Sequence, residues 1–173
     1  MYMEDKNCLT SDGVGTFGGA IAPICLEQDK AYWEVQVTHT GGPEAEEFVL
    51  VVGVAKKCDV RQAVGNLTKE GGGSTGGDPL FAVTIPDLKK NDTVGVCFDQ
   101  SDLPMLVLLV NNELTSHHVT RVRGAVYPFV AFTSGSPDKG STTTAVSLVF
   151  RGGKFRGEMP GKFNVVMAAS SLI

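Results

Sequence analysis

No part of this chain sustains a helical apolar stripe. Short segments that mix Val, Leu, Phe and Tyr recur instead between clusters of Gly, Pro, Asn and Asp, at 32–38, 48–55, 79–85, 93–99, 105–110, 126–132 and 143–150. In "YWEVQV", Trp33, Val35 and Val37 fall on one side of an extended chain while Tyr32, Glu34 and Gln36 fall on the other, the period of a half-buried strand. "TVGVCF" repeats the pattern with Val94, Val96 and Phe98. The nearest approach to helical spacing, "CDVRQAV", stops at Gly65. Strands at this density, joined by polar turns, predict an all-β fold: a two-sheet antiparallel β-sandwich.

The stretch 91–116, "NDTVGVCFDQSDLPMLVLLVNNELTS", shows how the turns are written. Strand 93–99 runs into "DQSDLP", where Asp99 and Asp102 can bond nearby backbone and Pro104 fixes φ and removes a donor. "MLVLLV" follows, and its unbroken apolarity predicts a central strand with both faces covered. Asn111 and Asn112 then turn the chain, because asparagine tolerates the left-handed backbone of a tight hairpin.

The chain has 173 residues, enough for one domain, 1–173, with a continuous core and no need of metal or disulfide staples. Its net charge is −4, and the Lys and Arg residues are scattered, which excludes a duplex-binding surface of clustered cations. The N-terminal "MYMEDKNCLT" has acids where a signal peptide has a basic and then apolar run, and no apolar stretch is long enough to cross a bilayer. The expectation is a soluble, intracellular, cytoplasmic protein with no membrane insertion. Cys8, Cys25, Cys58 and Cys97 lie far apart with no C-x-x-C pair, so free thiols are expected and neither zinc nor a redox dithiol. Cys58 follows Lys56 and Lys57, which would lower the pKa of an exposed thiol.

The ordered set "AYWEVQV" (31–37), "VGVA" (52–55), "NDTVGVCFD" (91–99), the apolar strand ending in "VNNEL" (110–114) and "RGAVYPFVAF" (123–132) resembles the motifs of SPRY (B30.2-like) domains. The resemblance spans roughly residues 13–150 and is most similar to short single-domain SPRY proteins; "PGKFNVVMAASSLI" (160–173) is similar to their closing segment. It implies a bent, concanavalin-like sandwich. Two departures stand out: the family's Asn-Gly hairpin is Asn111-Asn112 here, and the Ser-Trp strand that often follows Gly-Val-Ala is replaced by "GNLTKEGGGSTGGD" (65–78), read as a mobile surface loop.

Catalytic constellations are thin. "GVGTFG" (13–18) satisfies G-x-G-x-x-G, but "AIAPICL" follows it rather than a helix, so a Gly-rich bend between edge strands is expected and no nucleotide. "EGGGSTGG" lacks the Gly-Lys-Ser/Thr ending of a phosphate loop. His117 and His118 are adjacent and point to opposite faces of a strand, which disfavours a shared metal. Neither a nucleophile and base pair nor a cofactor is indicated, and Trp33 and Tyr127 read as packing residues.

What remains is a rigid scaffold with long polar loops at 39–47, 56–78 and 133–142, the arrangement of a recognition protein rather than an enzyme. The resemblance implies an adaptor-like protein-interaction module, monomeric, binding a short peptide segment of a partner protein. In SPRY domains the loop directly after the Tyr-Pro strand contributes to the ligand surface, and here it starts at Thr133. Ser134, Ser136, Asp138, Lys139 and the loop backbone can bond an extended peptide, while Arg61 offers an anchor for an acidic residue. The alternative is a lectin-like carbohydrate-binding sandwich, although no loop offers Trp or Tyr for stacking on a sugar.

Overall fold

Alternation built the strands where it was strongest. A computed structural model describes residues 8–11, 17–40, 48–65, 67, 73–133 and 144–167. Its strands are β1 (Cys8–Ser11), β2 (Gly18–Ile21), β3 (Lys30–Thr40), β4 (Val49–Ala55), β5 (Gly73–Gly77), β6 (Leu80–Pro86), β7 (Thr93–Asp99), β8 (Met105–Val110), β9 (Glu113–Thr120), β10 (Tyr127–Thr133), β11 (Thr144–Val149) and β12 (Asn164–Val165). A short α-helix, α1 (Val60–Gly65), occupies the "CDVRQAV" stretch, with Asp59 Oδ1 accepting the Arg61 N–H at 2.9 Å as its N-terminal cap, and a 3-10 turn spans Gly152–Lys154.

Two sheets form the sandwich. One runs β1-β11-β3-β7-β8-β9, with β12 added in parallel beside the start of β3; the other runs β2-β10-β4-β6-β5. All other pairings are antiparallel. Trp33, Val35 and Val37 meet Val94, Val96, Phe98, Leu106 and Leu108 in the core between the sheets, opposite Leu50, Val52, Val54, Val130 and Phe132. The expected face of each strand is thus the buried one.

The strand buried on both faces is not the one expected. In "MLVLLV", Leu106 and Leu108 are buried, but Met105, Val107 and Leu109 on the outer face are only half-buried, and β8 lies beside the edge strand β9. Both faces are buried on β3 and β7, where the outer face carries Tyr32, Glu34, Gln36, Thr93 and Cys97, and on β4 and β10, where it is apolar. Leu50, Val52 and Val54 face the main core, while Val51, Ala55, Phe129 and Ala131 form a second cluster with Ala63 of α1 and with Leu80 and Ala82 of β6. Apolar composition signals that a face can be covered; the cover itself comes from distant chain.

The 65–78 region is also more ordered than a glycine-rich loop. Residues 73–77 pair with β6 from Gly73↔Thr84 to Gly77↔Leu80, forming an edge strand. Backbone ladder bonds need no side chains, so a Gly-rich segment can close an exposed strand edge. Residues 66 and 68–72 lie outside the described residues.

The Asn-Asn hairpin forms as read. Asn111 and Asn112 take φ of 50° and 71°, and Val110 pairs with Glu113 across the turn, the geometry in which both central residues must be left-handed.

Candidate functional site

The chain's one fully buried carboxylate among the described residues is Glu34, on the outer face of β3 at 0 % exposure. Isolated there it would be costly, but it is fully partnered. Oε1 accepts the Tyr32 hydroxyl at 3.0 Å and the Gly157 N–H at 2.8 Å, and Oε2 accepts the Gln36 amide at 2.9 Å and the Arg156 N–H at 2.8 Å. Gln36 also donates to the Lys154 carbonyl at 3.1 Å, and Phe155 meets Tyr32 edge-on with centroids 5.0 Å apart. A Cβ on Gly157, within the strap, would come within 2.7 Å of Asn112 Oδ1 and 3.0 Å of Glu34 Oε1, so a larger residue there would displace the side chains it is fastened to. This explains the polar "Y-W-E-V-Q" face in structural terms: it fastens residues 152–158 across the sheet, leaving no acceptor position open for chemistry. Burial, then the Glu34 charge and hydrogen bond, hold the Tyr32 phenol well above its ordinary pKa.

The Cys58 and Cys97 thiols are not poised for attack either. Burial pushes Cys97 up to about 12. Burial and then Asp59 raise Cys58, so the lowering expected from Lys56 and Lys57 does not occur; Lys56 is instead paired with Asp78 at 2.6 Å. Among the described residues no group of three His, Cys, Asp or Glu side chains could hold a metal, and His117 and His118 are both exposed. Trp33 is a core residue at 0 % exposure rather than a ligand platform.

The sandwich has two loop-bearing ends. Register defines them: Thr133 pairs with Val49 at one end of β10, and Tyr127 pairs with Ala55 at the other, a separation of about 20 Å for six residue steps. Thr133, expected to open the loop, is instead the last residue of β10 and only 1 % exposed. Ser134, Ser136, Asp138 and Lys139 lie outside the described residues, as do 41–47. Arg61 is exposed on α1, whose chain departs from Ala55, so its connection is to the opposite end of β10 from residue 134. The helix crosses back over the outer face, where Val64 lies 2.8 Å from the point a Cβ on Gly19 would occupy.

That second end, where α1 departs, holds an open cleft of about 390 Å³ between the β7–β8 turn and the β9–β10 loop, lined by Gln100, Ser101, Asp102, Pro104, Val122, Arg123 and Gly124. Its walls are tied together. The Arg121 N–H donates to the Pro104 carbonyl at 2.9 Å, and the Gln100 amide donates to the Leu26 and Gln28 carbonyls at 3.0 and 2.8 Å. Asp99 accepts both the backbone N–H and hydroxyl of Ser101 and pairs with Lys30 at 3.3 Å. Burial works to raise the Asp99 pKa, but the Ser101 bonds and Lys30 outweigh it and hold the carboxyl below its ordinary value. Sequence reading found the turn chemistry of "DQSDLP" but not the cleft, because the opposing wall, 121–124, is distant in the chain and carries no motif.

No helix among the described residues is long and apolar enough to cross a membrane. No family model matches the sequence, and no curated protein matches it. Solved structures do: the SPRY domain of human HERC1 has 17% identity and a TM-score of 0.53 over 84% of this chain and 89% of that one. A human SPRY domain has 12% identity and a TM-score of 0.51 over 85% of this chain and 93% of that one. At such identities the likeness is one of architecture: the chain has the two-sheet β-sandwich fold of SPRY domains.

Proposed function

We propose that this protein is a non-enzymatic interaction module that binds a short, extended segment of a partner protein through the loops at the ends of its sandwich. The observation that carries the reading is the shared SPRY architecture over most of the chain, joined to polar loops on a rigid scaffold. The similarity of "GTFGGAIAPICLEQDKAYWEV" and the closing segment to SPRY domain-containing protein 7 supports placing it with the short SPRY proteins. The carboxylate and thiols described above are either fully hydrogen-bonded or raised in pKa, which suits a scaffold better than a catalyst. Arg61 and the segment 134–139 remain the proposed partner contacts.

A peptide array and a glycan array probed with the same labelled chain test the reading directly. Binding confined to peptides is expected; binding confined to glycans would replace it with the lectin-like alternative. Arg61→Ala and a Ser134→Ala/Asp138→Ala pair should each weaken a selected peptide by about 1–3 kcal/mol, the scale of a lost charge-assisted bond, while changing stability by less than about 0.5 kcal/mol.

A further inference from the structure

We propose that the cleft between the β7–β8 turn and the β9–β10 loop is a second peptide site, selective for a short extended segment in which one carboxylate side chain neighbours an apolar one. The inference rests on the interaction-module reading but places the contact at the opposite end of β10 from residues 134–139. The β9–β10 loop presents Arg123 from an anchored backbone. Val122 and Val126 are both 0 % exposed in the core, and the Leu26 N–H holds the Val126 carbonyl at 2.9 Å, so the exposed Arg123-Gly124-Ala125 tip between them is a fixed bracket. Arg121, two residues before Arg123, takes φ of 63°, which a non-glycine residue rarely adopts, while Gly124 within the tip takes φ of 93°, which glycine adopts without strain.

The chemistry of the cleft follows from which charges are already used. Lys30 is paired with Asp99, and Lys56, whose Cε lies 4.0 Å from the point a Cβ on Gly124 would occupy, is paired with Asp78. Arg123 has no ion-pair partner among the described residues, and although Asp102 lines the same cleft the two do not pair. A guanidinium carried on an anchored loop without its own anion takes a carboxylate in a two-pronged hydrogen bond. Asp102 repels a second acid in register and accepts a backbone N–H of the bound segment instead, which restricts the ligand to one carboxylate at this point. At the lip, Leu103 is 79 % exposed, the most exposed large apolar side chain described, and supplies the surface for the neighbouring apolar residue.

The test is to pan a random peptide display library against the full chain and synthesise the enriched peptides. Arg123→Glu, Arg123→Lys and Leu103→Ala are then compared with wild type by fluorescence anisotropy, with circular dichroism melts confirming that each variant folds. The expected result is a class of peptides pairing Asp or Glu with an apolar neighbour, weakened roughly tenfold or more by Arg123→Glu. Those peptides should be weakened less by Arg123→Lys, which keeps the charge but not the fork, and should be insensitive to Ser134→Ala/Asp138→Ala. Enriched peptides that ignore Arg123→Glu but are lost with Ser134→Ala/Asp138→Ala would overturn this site and leave the interaction-module reading intact. A library that yields no binder to the wild-type chain would overturn both.

Discussion

The outer faces of the two sheets are closed in different ways. On the five-stranded sheet, Val51, Ala55, Phe129 and Ala131 are sealed by α1 and by the partly buried Phe17, Val64 and Leu67, an apolar lid on an apolar face. On the larger sheet, Tyr32, Glu34 and Gln36 are covered by a strap whose hold is chiefly polar: the Arg156 and Gly157 N–H groups to the Glu34 carboxylate, the Gln36 amide to the Lys154 carbonyl, and the Glu158 N–H to Asn112 at 2.9 Å. The apolar lid gains from burying area and tolerates small shifts; the polar strap depends on the presence and ionisation of single groups. One face is robust and the other is conditional.

The largest effect should come from the apolar side. Phe129→Ala empties a fully buried ring position beneath α1 and should cost about 3–5 kcal/mol, with Leu108→Ala at about 2–5 kcal/mol in the main core. Val107→Ala on the half-buried outer face of β8 should cost well under about 2 kcal/mol, since less apolar area is lost. Denaturant titrations that gave Val107→Ala the same cost as Leu108→Ala would restore the expectation that β8 is covered on both sides.

Glu34→Gln sharpens the comparison on the polar side. The amide keeps one acceptor and turns the other into a donor facing N–H and O–H groups, so about two buried donors lose their partner, at about 2–4 kcal/mol. Hydrogen exchange at Arg156 and Gly157 should accelerate before the rest of the chain does. If both amides stay as protected as in the wild type, the strap is held by packing and the contrast between the two faces collapses.

Asn112 links the hairpin to that strap and should show two separable effects. Asn112→Ala places a Cβ-bearing residue without local bonding at φ of 71°, costing about 1–2 kcal/mol. Asn112→Gly relieves the backbone yet still frees the Glu158 N–H, so exchange at Glu158 should rise in both variants while stability falls appreciably only in the first. Equal destabilisation by the two would mean the side-chain bond, not the backbone, dominates.

The smallest effect concerns Asp99. Its folded pKa is depressed, so the stability it contributes is present above its unfolded value of about 3.9 and is lost as pH falls through the lower folded value. Asp99→Asn should therefore melt closer to wild type at acid pH than at neutral pH. A difference between the two that grows as pH drops would reverse the sign.

Legibility followed locality. The strands, their inward faces and the Asn111-Asn112 turn were readable because each depends on residues next to one another: pleat alternation fixes which side chains share a face, and left-handed φ is a property of the residue itself. The missed strands had no such signature: the four-residue Cys8–Ser11 and Gly18–Ile21, Gly73–Gly77 with almost no side chains, and Glu113–Thr120 with polar residues on an exposed edge. Glu34 was visible only as a polar partner in an alternating strand, since nothing near it announces the amides of Arg156 and Gly157. Arg123 likewise carried no motif, because its setting is made by Val122 and Val126 anchoring in a core and by a turn twenty residues earlier. The sequence by itself thus determined the all-β class, the faces and the tight turns. Tertiary structure alone decided which outer face is covered, which charge is left unpaired and which loops share an end, because burial and pairing depend on segments that meet only when the chain has folded.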